Sequence, residues 1–232
     1  MKITFNMATI PSRYELSLKA IDSIYDQADE IRIYLNNFDR LPEGFKRDKI
    51  ITHIGKDLNA SGKLFWALNP DEYYFCIDDD LRYPSDYASK LIRGLNEYED
   101  NVCISLHGKV LKPTPIESYF RGGIKESYRC LDSVLDKTQV HILGNGVSVF
   151  NTNKVKIDYN KFKYYHMDDI EVSIQIHQQQ IPIIVLPHES GYLGYEEPDN
   201  IPGVKTLFSQ YWNDDSSQTE RVNTINWKMY EI

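Results

Sequence analysis

No glycine-rich dinucleotide fingerprint follows the first strand-like run of this chain, and no Walker sequence occurs anywhere, which argues against dinucleotide binding and P-loop chemistry. No apolar stretch approaches membrane-spanning length, so no transmembrane segment is expected. Basic clusters are also missing. With 26 Lys and Arg against 34 Asp and Glu, and a net charge of −8, the chain lacks the electrostatic footprint of a nucleic-acid binder. Cysteine is scarce. Cys76, Cys103 and Cys130 are odd in number and lack metal-ligand spacing, which points to free thiols in a reducing compartment rather than a disulfide framework. The opening Met1-Lys2-Ile3-Thr4-Phe5 runs straight into a strand pattern without the segments of a signal peptide, so the expectation is a cytoplasmic protein. There is no internal repeat and no low-complexity block.

What is present fits an ordinary globular chain. The 232 residues, 41% hydrophobic and 26% charged, suit one α/β domain, or a domain with a C-terminal appendage. Seventeen tyrosines supply faces suited to sugar rings or nucleobases, and equally to a core. Apolar and β-branched runs predict strands over 2–8, 30–35, 49–54, 72–77, 102–106, 140–143, 147–150 and 182–186. Helical spacing predicts helices over 14–27, 63–68, 84–98 and 168–180. Residues 111–138 are weakly patterned and read as a variable, partly mobile insertion, and the tail from Gly191 onward as polar and interrupted, lying across the site. The early strands alternate with helices, the order of a mostly parallel sheet covered on both faces.

The most informative feature is Asp78-Asp79-Asp80, directly behind Tyr73-Tyr74-Phe75-Cys76-Ile77. Acids at the exit of a buried strand stand where open α/β sheets place ligands. Three adjacent like charges call for an offsetting partner, and hard aspartate oxygens suit Mg²⁺ or Mn²⁺ with positions left for phosphate oxygens. A solvated acidic turn is the alternative reading. Asp168-Asp169 open a helix, where the dipole also favours acids, so helix capping is an alternative there. Gly144-Asn145-Gly146 reads as a tight backbone approach or as an ordinary hairpin turn.

Together these pieces resemble a glycosyltransferase of the GT-A fold, closest to the family 2-like enzymes. The resemblance rests on Ala8-Thr9-Ile10-Pro11-Ser12-Arg13, Ser61-Gly62-Lys63, Ile77-Asp78-Asp79-Asp80, Gly144-Asn145-Gly146 and Met167-Asp168-Asp169, in that order over roughly residues 1 to 190. It implies a single Rossmann-like, nucleotide-diphospho-sugar transferase domain over 1–232, with a mixed, mostly parallel sheet and helices on both faces. Residues 1–110 would form the nucleotide-sugar-binding half, 111–190 the acceptor side and 191–232 the tail. The implied activity is metal-dependent transfer of a sugar from a nucleotide-sugar donor, a UDP-sugar by analogy, to a hydroxyl of a glycan or other acceptor, with inversion. The implied roles follow the motifs. Asp80 would be the main metal ligand, with Asp78 and His188; an imidazole among the ligands would favour Mn²⁺ over Mg²⁺. Thr9, Arg13, Asn36, Asp57, Lys63, Asp78 and Asp79 would bind the donor. Gly144, Asn145, Gly146 and His107 would face the acceptor. Asp169 would be the general base with Asp168 beside it. Two other readings stay open: a metal-dependent nucleotidyltransferase or phosphohydrolase using the same acids, and a non-catalytic glycan- or nucleotide-binding module of the same fold.

Overall fold

Strand β1 (Lys2–Thr9) alternates Phe5 and Met7 with Thr4 and Asn6, and all four are fully buried, so it sits mid-sheet with both faces covered. In the computed structural model, which describes residues 1–196 and 207–232, it is followed by α1 (Tyr14–Ile24), β2 (Glu30–Asn36), β3 (Ile50–Gly55), β4 (Glu72–Ile77), the short β5 (Leu81–Arg82) and α2 (Tyr87–Asn96). Next come β6 (Cys103–Ser105), β7 (Gly108–Leu111), β8 (Ile124–Tyr128), β9 (Thr138–Val140), β10 (Ile142–Leu143), β11 (Val147–Asn151) and α3 (Asp168–Gln178). The chain continues with β12 (Ile183–Val185), β13 (Gly194–Tyr195), α4 (Leu207–Tyr211) and α5 (Ser216–Val222).

Eight strands form one mixed sheet in the order β3-β2-β1-β4-β11-β6-β12-β9. The β3-β2-β1-β4 half is parallel, β11 runs antiparallel to both β4 and β6, and β12 is parallel to β6. Strand alternation then sorts the core. Phe5, Ile33, Phe75 and Ile77 pack with Ile21 and Ile24 of α1 and with Tyr87 and Leu91 of α2. Tyr74, Cys76 and Phe150 face the other way and pack with Val172 and Ile176 of α3. The protein is therefore α/β with helices on both faces of a large mixed sheet. Strands β10-β7-β8 make a second, three-stranded sheet, and β13-β5 pair separately. All three cysteines are free thiols. Among the described residues no helix is long and apolar enough to cross a membrane.

Two local expectations change, and one alternative reading falls away. The helix expected over 63–68 is a 3₁₀ helix over Asn59–Leu64. The segment is too short to repay α-helix nucleation, and the Tyr34 ring packs so close to Gly62 that a side chain there would collide with it. The turn at 144–146 is not a hairpin, because β10 and β11 belong to different sheets. The 111–138 segment is anchored rather than loose. Asn223 accepts from the Ile116 amide (2.8 Å), and Asp215 accepts from the Ser118 hydroxyl (2.6 Å) and the Phe120 amide (2.7 Å). Of the tail expected to lie across the site, residues 197–206 fall outside the described residues.

Candidate active site

Four parallel strands place their carboxyl ends on one edge, and the order reverses between β1 and β4, the position where open α/β sheets bind ligands. Because β11 is antiparallel and Val147 pairs with Ile77, the residues just before β11 arrive at that same edge. This brings Gly146 against Asp78. The Tyr83 hydroxyl clips the two together, accepting from the Asp78 amide (2.8 Å) and donating to the Gly146 carbonyl (2.7 Å). A Cβ at Gly146 would fall inside the Asp78 carboxylate, and one at Gly144 would strike the His107 side chain. Neither glycine has a positive φ, so close approach is the reason for both. Gly146→Ala should displace Asp78 and destabilise the fold by about 1–3 kcal/mol, read as a shift in urea midpoint.

The three adjacent acids have different surroundings. Asp79 is buried, accepting from the Thr9 hydroxyl (2.7 Å) and from Arg13 (2.6 Å). At the edge of a cleft, it holds Arg13 in place. The other guanidinium nitrogen of Arg13 reaches Asp80 at 3.3 Å. Asp78 pairs with the buried Lys63, which also lies 3.6 Å from Asp168. Burial acts to lower the Lys63 ammonium, but Asp78 and Asp168 outweigh it and hold it above the ordinary lysine value. Burial together with Asp78 and Asp79 pushes Asp80 up to about 7, against the pull of Arg13.

Asp168 and Asp169 begin α3, yet neither caps it: Met167 occupies the cap position without a side-chain bond. Both carboxylates instead accept from Asn145. The Asn145 amide donates to Asp169 Oδ1 (2.7 Å) and its side-chain nitrogen to Asp168 Oδ2 (2.7 Å). Burial and the neighbouring Asp168 raise Asp169 to about 7, although Lys109 and the Asn145 N–H act against the rise.

Two adjoining clefts meet over these groups and share Arg13, Ala60, Lys63 and Asp78. One, of about 320 Å³, runs from Thr9 and Ile10 past Asn36 and Asp57. The other, of about 300 Å³, runs from Asp80 past Asp169 to Lys109, Tyr119, Tyr211 and Gln218. Six acids (Asp57, Asp78, Asp79, Asp80, Asp168 and Asp169) line them against three cations, Arg13, Lys63 and Lys109. That surplus of negative charge adds to burial, the larger cause, in raising the two carboxylates.

Several expected residues lie elsewhere or act indirectly. His188 does not join the acids. The end of β12 is three strands from the end of β4, roughly 14 Å at ordinary strand spacing. Its ring nitrogens face the backbone carbonyls of Leu186 (2.9 Å) and Arg129 (3.3 Å). His107, Gly144, Asn145 and Gly146 line neither cleft; Asn145 and Gly146 stand against the carboxylates, and His107 packs on Gly144. Burial, with Lys109 and Arg129 nearby, lowers His107 to about 3, so it is neutral. The Asn36 side chain braces the 3₁₀ segment, accepting from the Leu58 amide (2.8 Å) and donating to the Asn59 carbonyl (3.0 Å). Asp57 lines the first cleft while accepting from Asn37 (2.9 Å) and the Asn59 amide (2.8 Å).

Among the described residues, no group of three or more His, Cys, Asp or Glu side chains is arranged to hold a metal ion. Asp78 and Asp80 both face the second cleft. Two such carboxylates suit a hard divalent cation that completes its shell with phosphate oxygens and water. His188 is too far from these carboxylates to add the imidazole ligand that would favour Mn²⁺ over Mg²⁺.

Lys109, Tyr119, Tyr211 and Gln218 escaped the sequence reading. Lys109 follows a strand exit within an apolar alternation, and the other three come from the anchored segment and the tail, so no local pattern joins them. No protein-family model matches the chain, and no curated protein matches it at a significant level.

Proposed function

We propose that this chain is a glycosyltransferase of the GT-A fold, transferring a sugar from a nucleotide-sugar donor, a UDP-sugar by analogy, to an acceptor hydroxyl with inversion. The observation that carries the reading is the meeting of two clefts over Asp78, with Asp80 and a separate, base-like carboxylate, Asp169, lining only the second of them. The mixed eight-stranded sheet with helices on both faces accords with that fold.

In this reading the cleft between Thr9 and Asp57 receives the nucleotide, and the one reaching Gln218 receives the acceptor. Arg13 and Lys63, common to both, face the donor's diphosphate. Asp78 and Asp80 would hold a divalent cation, Mn²⁺ or Mg²⁺, which when bound would act as a Lewis acid toward charge developing on the leaving diphosphate. Asp169 takes the proton of the acceptor hydroxyl as that oxygen attacks the anomeric carbon from the face opposite the leaving group. The Asn145 N–H fixes Asp169 Oδ1 and leaves Oδ2 without a partner among the described residues. Asp168, held by Asn145 and Lys63, orients the turn rather than moving a proton.

Incubation with UDP-sugars and Mn²⁺ or Mg²⁺ tests this: release of UDP together with a new glycoside is the expected result. Pyrophosphate or inorganic phosphate release without glycoside would place the protein in a different enzyme class. Asp80→Ala should weaken donor binding at least about tenfold in the presence of the cation and leave it unchanged in EDTA, measured by calorimetry. Wild-type donor binding that is equal with and without the cation would remove the metal from the reading.

A further inference from the structure

The acceptor-side cleft contains one cation, Lys109, that no carboxylate contacts directly, although Asp169 is near enough to favour its charge. Arg13 and Lys63 each lie within ion-pair reach of two aspartates. Lys109 makes no ion pair among the described residues. Its ammonium lies 3.3 Å from the Tyr119 hydroxyl and above the rings of Tyr119 and Phe120, 5.1 and 5.9 Å from their centroids. A neutral hydroxyl, two ring faces and the more distant Asp169 carboxylate surround this ammonium, and they leave hydrogens on Nζ without an acceptor in direct contact.

A second donor converges on the same space from a remote part of the chain. Gln218 of α5 is 5% exposed, and its carbonyl oxygen accepts from the Ser217 hydroxyl (3.0 Å). Its amide nitrogen has no hydrogen-bond partner among the described residues. An ammonium and an amide NH₂ offer donors only, so their occupant presents acceptor oxygens, and beside a positive charge a carboxylate or a phosphate is the best-matched acceptor. Around them stand aromatic walls, Tyr119, Phe120 and a Tyr211 ring stacked on His166 at 4.2 Å, surfaces that suit the apolar face of a pyranose. In a protein of net charge −8 whose clefts are rich in acid, an anionic acceptor needs such a local cation.

We infer that the acceptor is an acidic sugar, carrying a carboxylate or a phosphate monoester near the reacting hydroxyl, and that Lys109 and Gln218 bind that group. The inference rests on the glycosyl-transfer reading only in calling the occupant an acceptor.

Calorimetric titration of the full chain with methyl glucuronide, glucose 6-phosphate, methyl glucoside and inorganic phosphate tests it. At least one of the two anionic sugars should bind about 10- to 100-fold more tightly than the glucoside, the range of a charge-assisted hydrogen bond. Lys109→Met should abolish the margin, Gln218→Leu should reduce it, and glucoside binding should be unchanged in both. A preference for the glucuronide identifies the carboxylate, and a preference for the sugar phosphate the phosphate. Equal affinity for charged and neutral sugars, no detectable binding of either anionic sugar, or a margin that survives Lys109→Met overturns the inference. Inorganic phosphate binding as tightly as the sugar phosphate also overturns it, since no sugar is then being read. Thermal denaturation establishes that each variant is folded, and Gln218→Leu carries the test if Lys109→Met is not. Acceptor binding needs no turnover. Selective binding without UDP release would therefore sink the transferase and leave the acidic-sugar site, while UDP release without selectivity would do the reverse.

Discussion

Asp169→Asn is expected to lower the turnover of glycosyl transfer by about 10²- to 10⁴-fold, the range contributed by a positioned general base, while donor affinity stays within about twofold of wild type. The substitution preserves shape and keeps an oxygen for the Asn145 N–H, so the turn before β11 is undisturbed. It removes only the ability to take a proton. The pH dependence carries the same signature. With Asp169 raised to about 7 by burial and by Asp168, the wild-type rate should climb with pH up to about 7 and level off above it. Stability should move the other way. A carboxyl whose folded value lies above its unfolded one gives native protein that binds more protons between the two values. Stability from this group is therefore present at low pH and lost as pH rises through about 7. Asp169→Asn, uncharged throughout, should be no less stable than wild type at pH 8, measured by urea denaturation. Unchanged turnover in the variant would remove Asp169 from the role of base.

Arg32→Met is expected to destabilise the fold by about 3–5 kcal/mol, seen as a lower urea midpoint with an unchanged slope. Arg32 stands on β2 and reaches across β1 to Glu72 at the start of β4, with both contacts close (2.8 and 2.5 Å) and both side chains about 95% buried. Thr4 of the intervening strand also donates to Glu72 (3.2 Å), and Glu30 accepts from the Arg32 Nε (2.5 Å). Removing the guanidinium strands a carboxylate in the sheet, whose solvation is then supplied by one threonine hydroxyl. Removing both partners removes that penalty, so Arg32→Met with Glu72→Leu should recover much of the loss. A single variant as stable as wild type would show that water reaches Glu72.

The positions of the acids were legible because the signals are local. A buried apolar run followed by Asp78-Asp79-Asp80 marks a strand end, and Asp168-Asp169 before a helical spacing marks a helix start. How each acid is held was not legible. Asp79, read as donor-binding, lines a cleft with both oxygens already accepting from Thr9 and Arg13, contacts set by the pairing of β1 with β4. Asn36, read as meeting the nucleotide, lines the first cleft, and its side chain also ties down the loop at Leu58 and Asn59. His188 was read as a ligand because it follows a strand that ends on the correct edge. The edge was right, and the interposed β11 and β6 carry it out of reach.

Local chemistry alone determined where charge would stand at the ends of strands and helices, and that the chain would alternate into an α/β sheet, because side-chain period and helix-start composition depend on neighbours a few residues away. Only the tertiary structure decided which charges meet. The antiparallel insertion of β11 delivers Asn145 and Gly146 to the carboxylates, and the return of α5 across residues 116–120 carries Gln218 into the cleft that Lys109 and Tyr119 also line. Those encounters depend on the order in which distant strands and helices pack, and no short window of sequence contains it.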